Sequence, residues 1–193
     1  LGVKAFAQAP QLTPNDTTLD SAVAFLRQAV NDHGFTGLAR GGLGNYVTSS
    51  IVMGLSAVGS DTLQLREGIQ WLQSEQWDTT EGIRPAQDWY GGAGYGNRGR
   101  PDLSNTQMML DALYDAGVSP EEPTVQRALV FLTRTQNLKS TNPTAWAQAG
   151  TDDGGFIYTP ANNGESMASE AAGEGRYGEK IPAGEPRSLK SYG

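Results

Sequence analysis

Carboxylates are the side chains in this chain best suited to acid–base chemistry, and Asp152 and Asp153 are the one place where two aspartates are adjacent. A catalytic acid must be kept protonated by an apolar pocket that raises its pKa. These two aspartates instead open a glycine-rich segment that continues to Phe156. We therefore interpret Asp152 and Asp153 as turn residues. A catalytic role for these two aspartates is kept as the alternative.

Composition limits metal binding and thiol chemistry, because the chain has no cysteine and a single histidine, His33. The absence of cysteine removes disulfides, thiolate zinc ligands and thiol nucleophiles together. A zinc site needs several His, Cys or carboxylate ligands, so we predict no metal and no cofactor. His33 lies beside Gly34, and we interpret it as a solvated or capping residue of a turn.

A third group of candidates combines a carboxylate with two aromatic rings, in the sequence Asp88-Trp89-Tyr90. This composition is typical of sites that bind carbohydrate. Enzymes that cleave glycans need paired carboxylates, and no second carboxylate can be placed here from sequence. Packing is therefore the main interpretation, and a glycan-binding or glycan-cleaving role is the alternative.

The chain is acidic, which excludes some classes of partner. It has 14 Lys and Arg residues and 21 Asp and Glu residues, which gives a net charge of −7. This charge would repel phosphate backbones and anionic membrane surfaces, so we predict no nucleic-acid partner. No apolar run approaches the roughly 18 residues that span a bilayer, so we predict no transmembrane segment.

Residues 1–16 are predicted to form an N-terminal tail. They contain Ala5 and Ala7 in the small-x-small pattern of a signal-peptidase site. This pattern suggests the remnant of an export signal and an exported or periplasmic protein. A cytoplasmic protein with an alanine-rich terminus is the alternative.

Two kinds of helix are predicted, and they alternate along the chain. The first kind occupies 19–26, 65–72 and 125–132, where apolar residues recur at the i, i+3, i+4 and i+7 spacing of one helix face. The second kind occupies 46–59 and 104–117, which align without a gap. Glycine-rich linkers with aromatic residues follow the helices of the first kind. On the first kind we expect the following side chains to be buried: Leu19, Val23, Leu26, Leu65, Ile69, Leu72, Val125, Leu129 and Leu132.

Helices of the second kind also carry side chains suited to a cavity wall. Methionine and aromatic residues at helical spacing belong more often to a core than to a ligand pocket, and both interpretations stay open here. The candidate cavity residues are Ser49, Ser50, Met53, Gln107, Met108 and Tyr114.

Two segments carry a resemblance to a known superfamily. They are GIQWLQSEQW at 68–77, and RALVFLTRTQN at 127–137 followed by the DGGF sequence at 153–156. Both resemble the QW-type repeats of the squalene-hopene cyclase and protein prenyltransferase superfamily. The sequence PDLSNTQ at 101–107 also resembles the start of an inner helix in that family.

The resemblance implies an all-α fold, a partial α/α toroid of repeated helical hairpins with Gly-rich linkers. In such a toroid the outer and inner helices alternate around a ring, and the QW side chains tie helix ends to neighbouring turns. Residues 17–193 would supply three outer helices, two inner helices and the start of a third. That is about half of a ring, its N-terminal part, with 159–187 as a long Gly-, Ala- and Glu-rich loop.

The resemblance also sets expectations for function. Protein prenyltransferases of this superfamily bind zinc through Asp, Cys and His, and class II terpene cyclases use an Asp-x-Asp-Asp motif; neither set occurs here. We therefore expect a scaffold that binds lipid or a protein partner, with an apolar isoprenoid-like ligand. The alternative is the N-terminal half of a cyclase-like enzyme whose catalytic aspartates lie beyond Gly193.

A half-ring has an open edge, which predicts an interface. We expect the chain to associate with the rest of a longer toroid or with a second copy of itself. The apolar surface around Met108, Leu110, Leu113 and Phe131 would then be partly exposed.

Overall fold

The structure is a computed structural model, and it confirms that the fold is all-α. It describes residues 1–9, 11, 17–60, 62–96, 99–150 and 152–160, and the strand backbone at 173–174 and 180–181. The helices are α1 (Gly2–Ala7), α2 (Thr17–Leu38), α3 (Gly44–Ala57), α4 (Leu63–Ser74), α5 (Leu103–Asp115), α6 (Pro123–Thr135) and α7 (Ala145–Ala149). Short 3-10 helices occupy Ala39–Gly41 and Thr79–Glu81.

Two strands of two residues each lie within the segment predicted as a long loop. They are β1 (Gly173–Glu174) and β2 (Lys180–Ile181), which pair antiparallel with Gly173 opposite Ile181. The rest of that prediction from residue 161 onward lies outside the described residues, as does the predicted third helix of the second kind.

Helices α3 and α5 form the central pair, and they share the most extensive helix–helix contact in the described part of the chain. Helix α2 packs on α3 and α4, helix α4 packs on α3 and α5, and helix α6 packs on α5. Helices of the same predicted kind therefore also pack on each other, α3 on α5 and α2 on α4. No helix of the described segments combines the length and apolar character needed to cross a membrane.

Residues 2–7, assigned from sequence to a tail, form helix α1, which packs on α2 and α3. Val3 is buried, and it lies against Gly54 of α3, where a glycine leaves room for the approaching helix. Lys4 forms an ion pair with Asp115 at the end of α5. The apolar contact of Val3 and the ion pair of Lys4 thus help to hold helix α1 on the central helices.

The range of α2 contains two helical segments that meet at a kink, where the sequence predicts a turn. Gly34 has φ 60° and ψ 169°, which is non-helical backbone, and helical geometry resumes after it. Phe35 is buried beside this kink. It packs close to Gly68 of α4, where an added Cβ would lie 2.9 Å from the Phe35 ring. The predicted turn is therefore confirmed at Gly34, and Phe35 is buried directly after it.

The predicted apolar stripes are buried to different degrees. Val23 and Leu72 are buried as predicted, whereas Leu129 is 46% exposed, so its predicted burial is wrong. The remaining six predicted core residues are partly buried: Leu19, Leu26, Leu65, Ile69, Val125 and Leu132.

Helix α6 explains the error at Leu129. Its buried residues are Thr124, Ala128, Phe131 and Thr135, so the buried face is rotated by about one residue from the predicted stripe. Phe131 fills the space next to Gly92, where an added Cβ would lie 2.6 Å from the ring.

The expected exposure at the open edge is also corrected. Leu113 and Phe131 are fully buried, because Leu113 belongs to the core cluster around α3 and α5 and Phe131 packs on the linker glycine. Met108 and Leu110 are partly buried.

One buried glutamine joins three elements. The Gln76 side chain donates from Nε2 to the carbonyl oxygens of Gly91 and Thr124, both at 2.9 Å, and accepts at Oε1 from Arg127 Nε at 2.8 Å. Arg127 also pairs with Asp78 at 3.1 Å. We call the Gln76 side chain and these hydrogen-bond partners the glutamine clamp. It ties the segment after α4 to the following linker and to the first turns of α6.

A second glutamine repeats part of the clamp. Gln136 Nε2 donates to the carbonyl oxygen of Gly154 at 3.1 Å, as Gln76 does to Gly91. Gln76 forms an isolated antiparallel bridge with Ala93, and Gln136 forms the matching bridge with Phe156. In each bridge the glutamine pairs with the residue two positions after the glycine that accepts its side-chain hydrogen bond. Ala93 lies two positions after Gly91, and Phe156 lies two positions after Gly154, so the two glutamine contacts have the same register.

The glycine of the clamp yields a stability prediction with a matched control. Gly91 has φ +83°, and an added Cβ would lie 1.9 Å from the Arg127 carbonyl oxygen, whereas Gly82 has φ +78° with open space around it. Gly82→Ala should lower the free energy of unfolding by about 1–2 kcal/mol, the cost of the left-handed backbone. Gly91→Ala should lower it by more than about 4 kcal/mol, because α6 must also move away.

Urea denaturation monitored by circular dichroism measures both variants of this pair. Equal losses at the two glycines would contradict the close packing of the linker on α6.

Candidate functional site

A buried carboxylate organises the start of helix α5. Asp102 is 1% exposed and caps the helix: its Oδ1 accepts from the Asn105 backbone N–H at 2.8 Å, and its Oδ2 accepts from Asn105 Nδ2 at 2.8 Å. The Asp102 N–H donates to the Ala93 carbonyl oxygen at 3.1 Å. Thr106 completes the link, because its Oγ1 accepts from the Ala93 N–H at 3.0 Å. The linker after the clamp is therefore fixed to the first turn of α5.

Three tyrosines from separate segments meet at this helix start. The rings of Tyr46 and Tyr95 are 5.7 Å apart between centroids, and the hydroxyls of Tyr95 and Tyr158 are 3.4 Å apart. The Tyr46 hydroxyl shares a 2.5 Å hydrogen bond with Ser104 Oγ. We call Tyr46, Tyr95, Asp102, Ser104 and Tyr158 the tyrosine–aspartate cluster.

Arg100 adds a positive charge to this cluster. Its guanidinium carbon lies 5.7 Å from the centroid of the Tyr158 ring, within the range of a cation–π contact. It also acts on Asp102, where the positive charge favours the ionised carboxylate.

Burial dominates the electrostatics of the cluster. It raises the pKa of Asp102, while hydrogen bonds from Asn105 and Tyr158 and the charge of Arg100 oppose that rise. Burial also raises the pKa of Tyr158, and the neighbouring Tyr95 and Asp102 raise it further. The pKa of Tyr46 is raised by burial, against the hydrogen bond with Ser104. At neutral pH Tyr46 and Tyr158 are therefore neutral phenols.

Three buried polar atoms without a protein partner lie in the amino-terminal turns of the same two helices, and others are Arg27 Nε in α2 and Trp146 Nε1 in α7. Asn45 Nδ2 and Thr48 Oγ1 in α3, and Asn105 Oδ1 in α5, are buried and have no hydrogen-bond partner among the described residues. An unsatisfied buried polar group costs about 1–3 kcal/mol, so such groups call for a specific reason. Their position at the starts of α3 and α5 marks this end of the central pair as the candidate binding site.

The candidate catalytic aspartates lie away from this cluster, in the turn after α7. Asp152 Oδ1 accepts from the Lys139 N–H at 2.7 Å. Asp153 Oδ1 accepts from the Gly155 N–H at 3.0 Å and from Asn137 Nδ2 at 3.1 Å. Both side chains are exposed and hydrogen-bond to nearby groups, which is a turn-stabilising arrangement.

The candidate cavity residues divide between core and surface. Met53 is buried in the core cluster, and Ser49 is buried with its Oγ donating to Asn45 Oδ1 at 3.1 Å. Gln107 and Tyr114 are exposed on α5, and Met108 is half-buried beside them. Ser50 is half-buried on α3.

The candidate carbohydrate residues lie on a separate surface. Asp88 and Trp89 line a groove of about 490 Å3, and Tyr90 is not among its lining residues. Trp89 packs edge-on against Trp77 of the clamp segment, with centroids 4.9 Å apart. His33, interpreted as a solvated residue, is exposed on α2.

Sequence reasoning missed the members of the tyrosine–aspartate cluster as site residues. A signal existed for Asp102, which stands before an apolar helix with a cap-forming side chain. Nothing in the sequence links Tyr95 to Tyr158, because their contact spans 63 residues and depends on the folded linker.

In the segments that the structure describes, no three His, Cys, Asp or Glu side chains converge in a group suited to a metal ion. No protein-family model matches the chain, and neither a curated protein nor a solved structure matches it significantly.

The buried carboxylate gives a prediction about pH. Because the pKa of Asp102 is raised in the folded state, its proton stabilises the fold at low pH, and this contribution is lost as pH rises through the folded pKa. Asp102→Asn keeps a cap-forming side chain but removes the titration. The free energy of unfolding of the wild type, relative to this variant, should therefore increase as pH falls from about 7 to about 4.

Urea denaturation at several pH values measures this difference. Asp111→Asn, which removes an exposed carboxylate from the same helix, is the matched control. A wild-type advantage that shrinks as pH falls would contradict a raised pKa at Asp102.

Proposed function

We propose that this chain is a section of an α/α toroid of the squalene-hopene cyclase and protein prenyltransferase type, and that it serves as a binding scaffold. The repeated glutamine clamp supports the repeat architecture, since Gln76 and Gln136 contact equivalent glycines in the same register. The packing of α2, α4 and α6 around the α3–α5 pair supports an assignment of outer and inner helices.

The observation that carries the binding role is the position of the tyrosine–aspartate cluster at one end of an exposed face of α5. Ser104, Gln107, Met108 and Asp111 follow the i, i+3, i+4 and i+7 spacing of one helix face. Tyr114, 82% exposed, extends the same side of the helix. From Ser104 to Tyr114 this face runs about 15 Å at the helical rise of roughly 1.5 Å per residue.

This face suits a ligand with one polar end and an apolar body. The Tyr95 hydroxyl, on a ring that is 39% exposed, offers a hydrogen bond at the cluster, and Met108 and Tyr114 offer apolar contact along the helix. The exposed Asp111 and the net charge of −7 disfavour a diphosphate. A neutral isoprenoid alcohol is therefore the ligand class that we assign to this face.

The main alternative is an enzyme, with this chain as the N-terminal part of a cyclase whose catalytic aspartates lie beyond Gly193. That alternative predicts isoprenoid turnover by the longer protein. The scaffold predicts binding without chemical change of the ligand, and mass spectrometry of the recovered ligand separates the two.

The binding proposal predicts saturable binding of geranylgeraniol, measured by titration calorimetry below the concentration at which this alcohol aggregates. Met108→Glu should weaken binding about tenfold or more, because it places a charge where the apolar chain lies. Tyr95→Phe should weaken it about threefold to tenfold, because it removes one hydroxyl from the cluster.

The matched control is Phe25→Ala, which removes a 72% exposed aromatic ring from outer helix α2. It should leave binding unchanged. An equal loss in this variant, or no saturable binding by the wild type, would contradict the assigned face.

A further inference from the structure

The linker between the 3-10 helix Thr79–Glu81 and the clamp glycine is exposed, yet it is tethered. Arg134 of α6 donates from one guanidinium nitrogen to the Gln87 carbonyl oxygen at 2.6 Å and from the other to the Pro85 carbonyl oxygen. Gln87 Oε1 accepts from the Arg84 N–H at 2.7 Å, which closes the loop on itself. A surface loop held in this way loses little conformational freedom when a ligand binds.

The aromatic ring of this linker is also fixed. Trp89 packs edge-on against Trp77 at 4.9 Å and 66°. The Trp77 indole is itself anchored, because its Nε1 donates to the Gly99 carbonyl oxygen at 2.9 Å. Trp89 remains partly exposed, so it is a positioned ring beside solvent.

A groove of about 490 Å3 lies against this ring, and its wall carries exposed polar groups. They are the Asp88 carboxylate and the Gln87 side-chain amide. The wall is completed by Ile83 and Ala86. The groove thus combines an indole, a carboxylate acceptor and an amide donor with apolar surface, the composition of a small-molecule site.

These groups match the surface of a sugar ring. The C–H groups on one face of a pyranose carry partial positive charge, which the electron-rich face of an indole attracts. Adjacent hydroxyls both donate and accept, so they complement a carboxylate and an amide side by side. The nearby Arg134 charge acts on Asp88 and offsets it, which favours a neutral ligand.

We propose that the groove formed by Ile83, Ala86, Gln87, Asp88 and Trp89 binds a neutral oligosaccharide. The site is separate from the tyrosine–aspartate cluster, and it does not depend on the isoprenoid role proposed above. The role is binding, because glycoside cleavage uses a pair of carboxylates and Asp88 is the one carboxylate among the lining residues.

The test is titration calorimetry of the full chain with cellohexaose, xylohexaose, mannohexaose and maltohexaose, each measured separately. We expect saturable binding of at least one of them, with a change in tryptophan fluorescence. Asp88→Ala should weaken that binding roughly tenfold to a hundredfold, the loss expected for hydrogen bonds to a charged group. Ala86→Trp, at an exposed position, should abolish it by filling the groove.

The matched control is Glu121→Ala, which removes an exposed carboxylate from a different linker and should leave binding unchanged. Circular dichroism of each variant checks folding. Absence of saturable binding to all four sugars would overturn the proposal, as would binding that survives both Asp88→Ala and Ala86→Trp. Geranylgeraniol binding measured on the same variants should be unaffected, so the two proposals succeed or fail independently.

Discussion

The buried side-chain amide of Gln76 connects three parts of this molecule: the segment after α4, the linker at Gly91 and the start of α6. The side chain is 1% exposed, and all of its polar atoms are used: two carbonyls accept from Nε2 and one guanidinium donates to Oε1. Inside a protein such a network is stable only when every member is satisfied. Arg127 brings its own partner in Asp78, so the charge does not remain unpaired in the interior.

The glutamine clamp fixes the linker that follows α4 at Gly91, and the residues on either side of Gly91 contact other parts of the fold. Before Gly91 the linker carries Trp89, which packs on Trp77, the residue that follows Gln76. After Gly91 it carries Ala93 and Tyr95, which reach the starts of α5 and α3 through backbone hydrogen bonds. The groove and the tyrosine–aspartate cluster are therefore positioned by one linker, which the clamp fixes near its middle.

Much of the helical framework was predictable because local periodicity determines it. The alternation of two helix kinds follows from apolar spacing, and the small residue Gly68 indeed meets Val52 and Phe35 at close range. The exact buried face of α6 was not predictable, because Leu129 and Phe131 are both apolar and the choice depends on the glycine linker that packs there. Helix α1 was missed for a similar reason: it is short and marginal alone, and its contact with Gly54 comes from distant sequence.

In the candidate sites, too, some residues could be predicted from local sequence, whereas others depend on contacts between distant parts of the chain. Asp88 and Trp89 were identifiable because neighbouring residue types carry the signal, and the structure places both on one groove. Asp102 lies in the sequence that resembles a helix start, but its burial was not predictable, since burial of a carboxylate depends on the tertiary partners that satisfy it. Tyr95 and Tyr158 are 63 residues apart in the chain, and the contact between their hydroxyls depends on how the two segments that carry them fold together.

The most direct test of this account is a double-mutant cycle on Gln76→Ala and Arg127→Ala, with the free energy of unfolding measured by urea denaturation. If the clamp couples α6 to the end of α4, the two losses should be non-additive by about 1.5–3 kcal/mol, the range for hydrogen bonds to a charged group. A coupling energy below about 0.5 kcal/mol would show that the two residues act independently and would contradict the central role given to the clamp.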